Sequence, residues 1–210
     1  MNFENEHFLQ KKYGYSYRFI DYADIENNTG DIIPWVMFTI SMPHLIDMYK
    51  EHYKVAPKTL IDCGAAYGYM IRWAERMSMK ASGIDVRKYP FPDYEYRRYF
   101  NNGKIRICNL LDVEPFTQDL AYANGMLTYL DEKDLDTAMG KFKNVKMLIA
   151  IHNTIEDIAA AKEYGTPIDI DLQNNLIRSN DWWINRFQKN GFDAVFNKKY
   201  SCFCVTPKTK

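Results

Sequence analysis

From Lys58 onward, short apolar runs alternate with helical stretches, and this alternation limits the possible folds more than any other feature of the chain. TLID (59–62), ASGID (81–85), KIRIC (104–108), DLAYAN (119–124) and VKMLIAI (145–151) read as five successive strands. YMIRWAERMSM (69–79) and EKDLDTAMGKF (132–142) carry the 3.6-residue periodicity of helices between them. Strands joined through helices pair in parallel, so the expected class is α/β, a doubly wound, mostly parallel sheet with helices on both faces. The end of the chain departs from this pattern. DWWINRFQKN (181–190) predicts a helix closed by Gly191, and FDAVFNKKYSCFCVTPK (192–208) predicts two strands joined tightly as a C-terminal antiparallel hairpin.

Upstream, Trp35, Phe38, Met42, Leu45, Ile46 and Tyr49 recur at helical spacing and predict a helix over 35–54. Residues 1–34, rich in Tyr, Asn and Asp, read as an irregular arm. The chain therefore divides into an N-terminal arm and helix, 1–57, and a main domain, 58–210. Its 27 basic and 27 acidic side chains cancel, which argues against a dedicated nucleic-acid binder but leaves room for a local basic patch. The opening MNFENEHFLQKK lacks a secretory signal, and no apolar run approaches the roughly 20 residues that span a bilayer. Cys63, Cys108, Cys202 and Cys204 have neither zinc spacing nor a disulfide framework, so free buried thiols in a cytoplasmic protein are expected.

In an open α/β sheet, ligands bind beyond the carboxyl ends of the strands. The turn after the first strand reads Asp62-Cys63-Gly64-Ala65-Ala66-Tyr67-Gly68 and leads into a helix. Its small residues at 64, 65, 66 and 68 let a ligand approach the backbone. A dinucleotide would want G-x-G-x-x-G there, with pyrophosphate on the helix N-terminus. Counted from Gly64, the second and third glycine places hold Ala66 and Tyr69, and Asp62 would repel a diphosphate. A phosphate-free cofactor with a cationic end suits the same acid. Asp85 closes the second strand 23 positions beyond Asp62, where a carboxylate can accept both hydroxyls of a ribose.

These residues resemble motifs I and II of the class I S-adenosylmethionine-dependent methyltransferases, with Ala66 replacing the middle glycine of D/E-x-G-x-G-x-G. The resemblance runs over about 58–207. It implies a seven-stranded sheet of order 3-2-1-4-5-7-6 with the last strand antiparallel, and S-adenosylmethionine as cofactor. It implies cofactor contacts from Asp62, Gly64, Ala65, Ala66, Gly68, Asp85 and Val86. Asn109-Leu110-Leu111-Asp112 corresponds to the adenine-contacting segment, where either Asn109 or Asp112 meets the exocyclic amine and Leu110 lies beside it. Asn124 and Gly125 fall in the region beside the transferring methyl. Gly191-Phe192 after the last helix fits the same pattern.

The acceptor side is less marked. His152 follows the fifth strand and is the candidate general base, since histidine titrates near neutral pH. Asn124, His152 and Asn153 lack the carboxylates a hard cation needs, so no metal is expected. Tyr13, Tyr15, Tyr17, Phe19 and Trp35 are candidates for an aromatic cover, with plain packing as the competing reading, and residues 1–57 and 152–180 are expected to hold the acceptor. Trp182 and Trp183 read as packing, and Arg97-Arg98 and Lys198-Lys199 as solvated surface. The resemblance points to a small molecule, lipid or sugar with an oxygen or nitrogen nucleophile. Two alternatives remain open, a nucleic-acid methyltransferase and a non-catalytic module that keeps the fold.

Overall fold

The computed structural model describes residues 41–65, 68–86, 102–152, 154–163 and 176–208. The expected arm over 1–34, the start of the 35–54 helix, Ala66 and Asn153 lie outside the described residues. Helix α1 spans Ser41–Tyr53, β1 Thr59–Cys63, α2 Tyr69–Arg76, β2 Lys80–Asp85, β3 Ile105–Ile107 and β4 Leu120–Asn124. Then come α3 Glu132–Lys141, β5 Met147–Ile151, α4 Ile155–Glu163, α5 Asn180–Lys189, β6 Phe192–Asn197 and β7 Cys202–Pro207. Short 3-10 helices follow β3 (Leu110–Asp112) and β4 (Met126–Tyr129).

The seven strands form one sheet of order β3-β2-β1-β4-β5-β7-β6. β3, β2, β1, β4 and β5 are mutually parallel, while β7 runs antiparallel to both β5 and β6. This is the order that the methyltransferase resemblance implies, with the C-terminal hairpin that the sequence pattern predicts.

Alternation along the strands sorts side chains to two layers, because successive residues of a strand point to opposite faces. Leu60, Leu120, Tyr122, Met147 and Ile149 face α1 and α2, where Leu45, Tyr49, Met70 and Ala74 cover them. Ile61, Cys63, Ala121, Ala123, Leu148 and Ala150 face the other way, onto Leu135, Met139 and Phe142 of the α3 region and Trp183 and Phe187 of α5. Trp183, Phe142 and Phe187 are wholly buried. Burial of each large side chain stabilises the fold by about 1.5–3 kcal/mol. Central strands buried on both faces explain why these segments read as nearly continuous apolar runs.

Helix α4 was not anticipated. Thr154 accepts from the Asp157 backbone amide (3.2 Å), and the Asp157 carboxylate accepts from the Thr154 amide (2.9 Å) and hydroxyl (2.8 Å). This reciprocal capping satisfies the first turn of α4. The Glu156 carboxylate then accepts from the Asn180 amide at 3.1 Å and ties α4 to the start of α5. At α5, Arg186 pairs with Asp136 at 2.7 Å, and Arg178 with Glu132 at 3.1 Å. Both guanidinium carbons lie 5.6 Å from the Trp182 ring, the range of a cation–π contact. Among the described residues no helix is long and apolar enough to cross a membrane.

Candidate cofactor site

The candidate site forms where β1 and β2 end. Asp62 pairs in register with Gly83, so Asp85 projects from the same face of the sheet as Asp62, one two-residue step further along β2. Both acids are buried. The chain leaves β1 through Gly64, whose φ of 84° is the left-handed conformation that favours glycine. The amides of Gly64 and Ala65 both donate to the Ile84 carbonyl, at 2.9 and 3.0 Å, which holds the turn against β2. Gly68, also left-handed at φ 76°, donates to the Ala65 carbonyl at 2.7 Å and stands at the N-cap of α2.

Two residues outside the expected set shape this turn. A Cβ added to Gly83 would lie 2.5 Å from the Ala65 Cβ and 3.1 Å from the Asp62 carbonyl oxygen. Gly83 is therefore the only residue type that lets the turn sit on β2 without displacement. On the other side, Met126 covers Gly64: a Cβ there would meet the Met126 Cβ at 3.1 Å. The signal for Gly83 was present in the sequence as a glycine inside a strand, which often marks a close backbone approach.

Burial and the neighbouring charge of Asp85 push the Asp62 carboxyl up to about 8. Desolvation is the larger cause, since a carboxylate removed from water loses solvation that a proton restores. Among the described residues no cation offsets it. A buried acid of this kind binds a proton until a positive ligand replaces it.

The remaining expected residues sit around the ends of the strands. Val86 follows Asp85 and is exposed. The Asn109 side chain accepts from the Leu111 amide at 3.0 Å and caps the 3-10 helix Leu110–Asp112. Leu110 is buried and belongs to the core. Asp112 is exposed at the end of that helix. Asn124 ends β4 on the same face as Asp62, and Gly125 (φ 69°) donates to the Ile151 carbonyl at 2.8 Å. Asp62, Gly64, Ala65, Gly68, Asp85, Asn124 and Gly125 thus gather at the carboxyl ends of adjacent strands.

His152, the candidate general base, is enclosed at the end of β5 rather than open to an acceptor. It continues the Leu148–Ala150 row of β5 into the opposite layer and is only 4% exposed. Its ring lies 4.1 Å from that of Trp183 and 5.3 Å from that of Phe203, centroid to centroid. Neither ring nitrogen has a hydrogen-bond partner of good geometry among the described residues. Burial lowers its pKa to about 3, because the imidazolium is poorly solvated there. A side chain so enclosed and so weakly basic is ill suited to take a proton from an incoming nucleophile.

The arrangement fits S-adenosylmethionine. Asp62 presents a buried carboxyl at the end of β1 and Asp85 a second one strand away, a pairing that suits a ligand with an ammonium end and a ribose. A diphosphate would meet two acids instead of a cationic or amide-lined cradle.

The sequence matches no protein-family model, and no curated protein matches it. Solved structures do resemble it. Human N-acetylserotonin methyltransferase in complex with S-adenosylmethionine aligns at a TM-score of 0.59 and 13% identity over 83% of this chain. The chain spans about half that protein's length, 53%. The sugar N-methyltransferase KedS8 from Streptoalloteichus sp. ATCC 53650 aligns at 0.61 and 11% identity, covering 93% of this chain and 96% of its own. The Burkholderia thailandensis 1,6-didemethyltoxoflavin-N1-methyltransferase, with 1,6-didemethyltoxoflavin and S-adenosylhomocysteine bound, aligns at 0.54 and 12% identity over 98% and 88%. At such identities the likeness is one of architecture, and this chain has the fold of the class I S-adenosylmethionine-dependent methyltransferases.

Proposed function

We propose that the chain is an S-adenosylmethionine-dependent methyltransferase acting on an oxygen or nitrogen nucleophile of a small molecule, lipid or sugar, in the cytoplasm. The observation that carries this reading is the pair of buried acids, Asp62 and Asp85, on one face at the ends of β1 and β2. Asp62 receives the ammonium end, directly or through water, and Asp85 accepts from the ribose hydroxyls. Gly64 and Gly68, both left-handed, bound the turn that follows Asp62. For the adenine amine, Asp112 is the better candidate of the two, since the Asn109 side chain already accepts from the Leu111 amide. Asn124 and Gly125 line the reacting end.

When bound, the cofactor supplies a methyl group on a sulfonium that is already activated for displacement. The protein's task is then chiefly to align the acceptor and exclude water, which can lower the barrier without a protein base. An aromatic hydroxyl or amine deprotonated at working pH needs no His152. Acceptor contacts fall to residues 1–57 and to 152–180, including the exposed Ile155 and, beside them, Tyr129 after β4. The small-molecule class is supported by the printed activities of the structural neighbours, which include a sugar N-methyltransferase and N-acetylserotonin and didemethyltoxoflavin methyltransferases.

Calorimetry with S-adenosylhomocysteine tests the cofactor half. Binding with one site per chain is expected, and Asp85→Ala should weaken it more than roughly tenfold, the loss of about 1.4 kcal/mol. No heat of binding to the wild type would remove the proposal and leave a scaffold without cofactor.

A further inference from the structure

Three sulfur atoms converge on the α1/α2 face of the sheet, three strands away from Asp62. Cys202 and Cys204 lie two residues apart on β7 and so share a face. Met48 reaches them from α1. Its sulfur is 3.9 Å from the Cys202 sulfur and 3.5 Å from that of Cys204. The Asn197 amide nitrogen, on β6 opposite Cys202, stands 3.1 Å from the Met48 sulfur and fixes the thioether from its other side. Cys202 and Met48 are buried, while Cys204 is partly exposed and gives a route in from solvent.

We propose that Cys202, Cys204 and Met48 form a trigonal site for a soft monovalent metal ion, Cu(I). Soft thiolate and thioether donors select Cu(I), whereas zinc in a structural site takes four nitrogen or thiolate ligands. With metal–sulfur bonds near 2.3 Å, a planar three-sulfur site has edges of about 4 Å. The two edges that run from the Met48 sulfur are close to that. Among the described residues no three His, Cys, Asp or Glu side chains cluster for a harder ion. Metal binding releases both thiol protons to solvent, with no change in oxidation state. The proposal is independent of the methyltransferase reading.

The test is an anaerobic titration of the reduced full chain with Cu(I) in competition with bicinchoninate. The site predicts one equivalent held against the chelator, with X-ray absorption showing three sulfurs at about 2.3 Å. Cys202→Ser and Cys204→Ser should each weaken binding on the order of a hundredfold, and Cys63→Ser and Cys108→Ser should leave it intact. Met48→Leu keeps the core volume, so it should fold normally, as circular dichroism would verify, and reduce the count from three sulfurs to two. No competition with the chelator, two sulfurs in the wild type, or undiminished binding by the Cys202→Ser/Cys204→Ser double variant would each overturn the proposal.

Discussion

Asp62 and Asp85 stand on one face at the ends of adjacent parallel strands, and the Asp85 charge helps hold a proton on the Asp62 carboxyl up to about pH 8. A cationic ligand seated against Asp62 must expel that proton. Between pH 6 and 7 an α-ammonium stays charged, so affinity for S-adenosylhomocysteine should rise roughly tenfold over that unit. Calorimetry in buffers of different ionisation heat should show close to one proton released. Asp62→Asn should remove both effects and weaken binding at pH 8.

The same proton affects stability without ligand. A carboxyl raised from the ordinary range to about 8 binds more protons folded than unfolded, so its contribution is fully present at low pH and is lost as pH rises toward 8. Asp62→Asn should therefore be more stable than the wild type above pH 8, by at least about 1 kcal/mol. Thermal melts across pH 6–9 would show it. A smaller gap at pH 9 than at pH 6 would mean that the carboxyl is not desolvated.

Gly83→Ala places a methyl 2.5 Å from the Ala65 Cβ. Overpacking of this kind costs about 1–3 kcal/mol. Because the strain falls on the turn, cofactor affinity should drop with stability. Gly140→Ala, inside α3 where a Cβ meets nothing, provides the control: cofactor affinity should hold, and helix propensity should raise stability by about 0.5–1 kcal/mol.

His152 sits among Trp183, Phe187 and Phe203, with its pKa lowered to about 3. Its folded form binds fewer protons than the unfolded chain between about pH 3 and 6.5, so this group destabilises the fold progressively as pH falls through that window. His152→Leu should lessen the acid sensitivity and leave methyl transfer near neutral pH within about threefold of wild type. A general base would instead lose about 10²–10⁴-fold on removal. Rates with the true acceptor, set beside acid melts, distinguish the two.

Asp157→Ala leaves the Thr154 amide and hydroxyl without their carboxylate and loosens the start of α4. Loss of a buried cap acceptor should cost about 1–3 kcal/mol. Denaturant titration would measure that loss, and Asp157→Asn should recover part of it.

The cofactor half was readable in the sequence because it depends on residue types at strand ends. An acid two positions before a glycine, followed by a second acid closing the next strand, carries the chemistry in the order of the residues. The layers were readable too, but alternation was not followed far enough. Leu148, Ala150 and His152 share parity, so the row that buries the first two also buries the third. Thr154 and Asp157 form a capping box with Asp in place of Glu, and α4 behind it is short, with Ile155, Ile158 and three alanines as its only apolar residues. A glycine inside a strand marks Gly83 as a place of close approach, but which atoms approach it, the Ala65 Cβ and the Asp62 carbonyl oxygen, is a contact from outside its own strand. The acceptor side was not readable because shape and exclusion of water, unlike a charge pair, leave no fixed residue pattern.

The placement of β7 between β5 and β6 has a consequence for biosynthesis. As the chain leaves the ribosome, β5 keeps a bare edge until residues 202–207 arrive, and β6 has no strand to pair with until then. Most of the polypeptide must therefore wait, with an open hydrogen-bonding template beside an apolar surface, for its last strand to slot in. Nascent chains stalled before residue 202 should bind chaperones and self-associate, and release should follow within the few residues that complete the insertion.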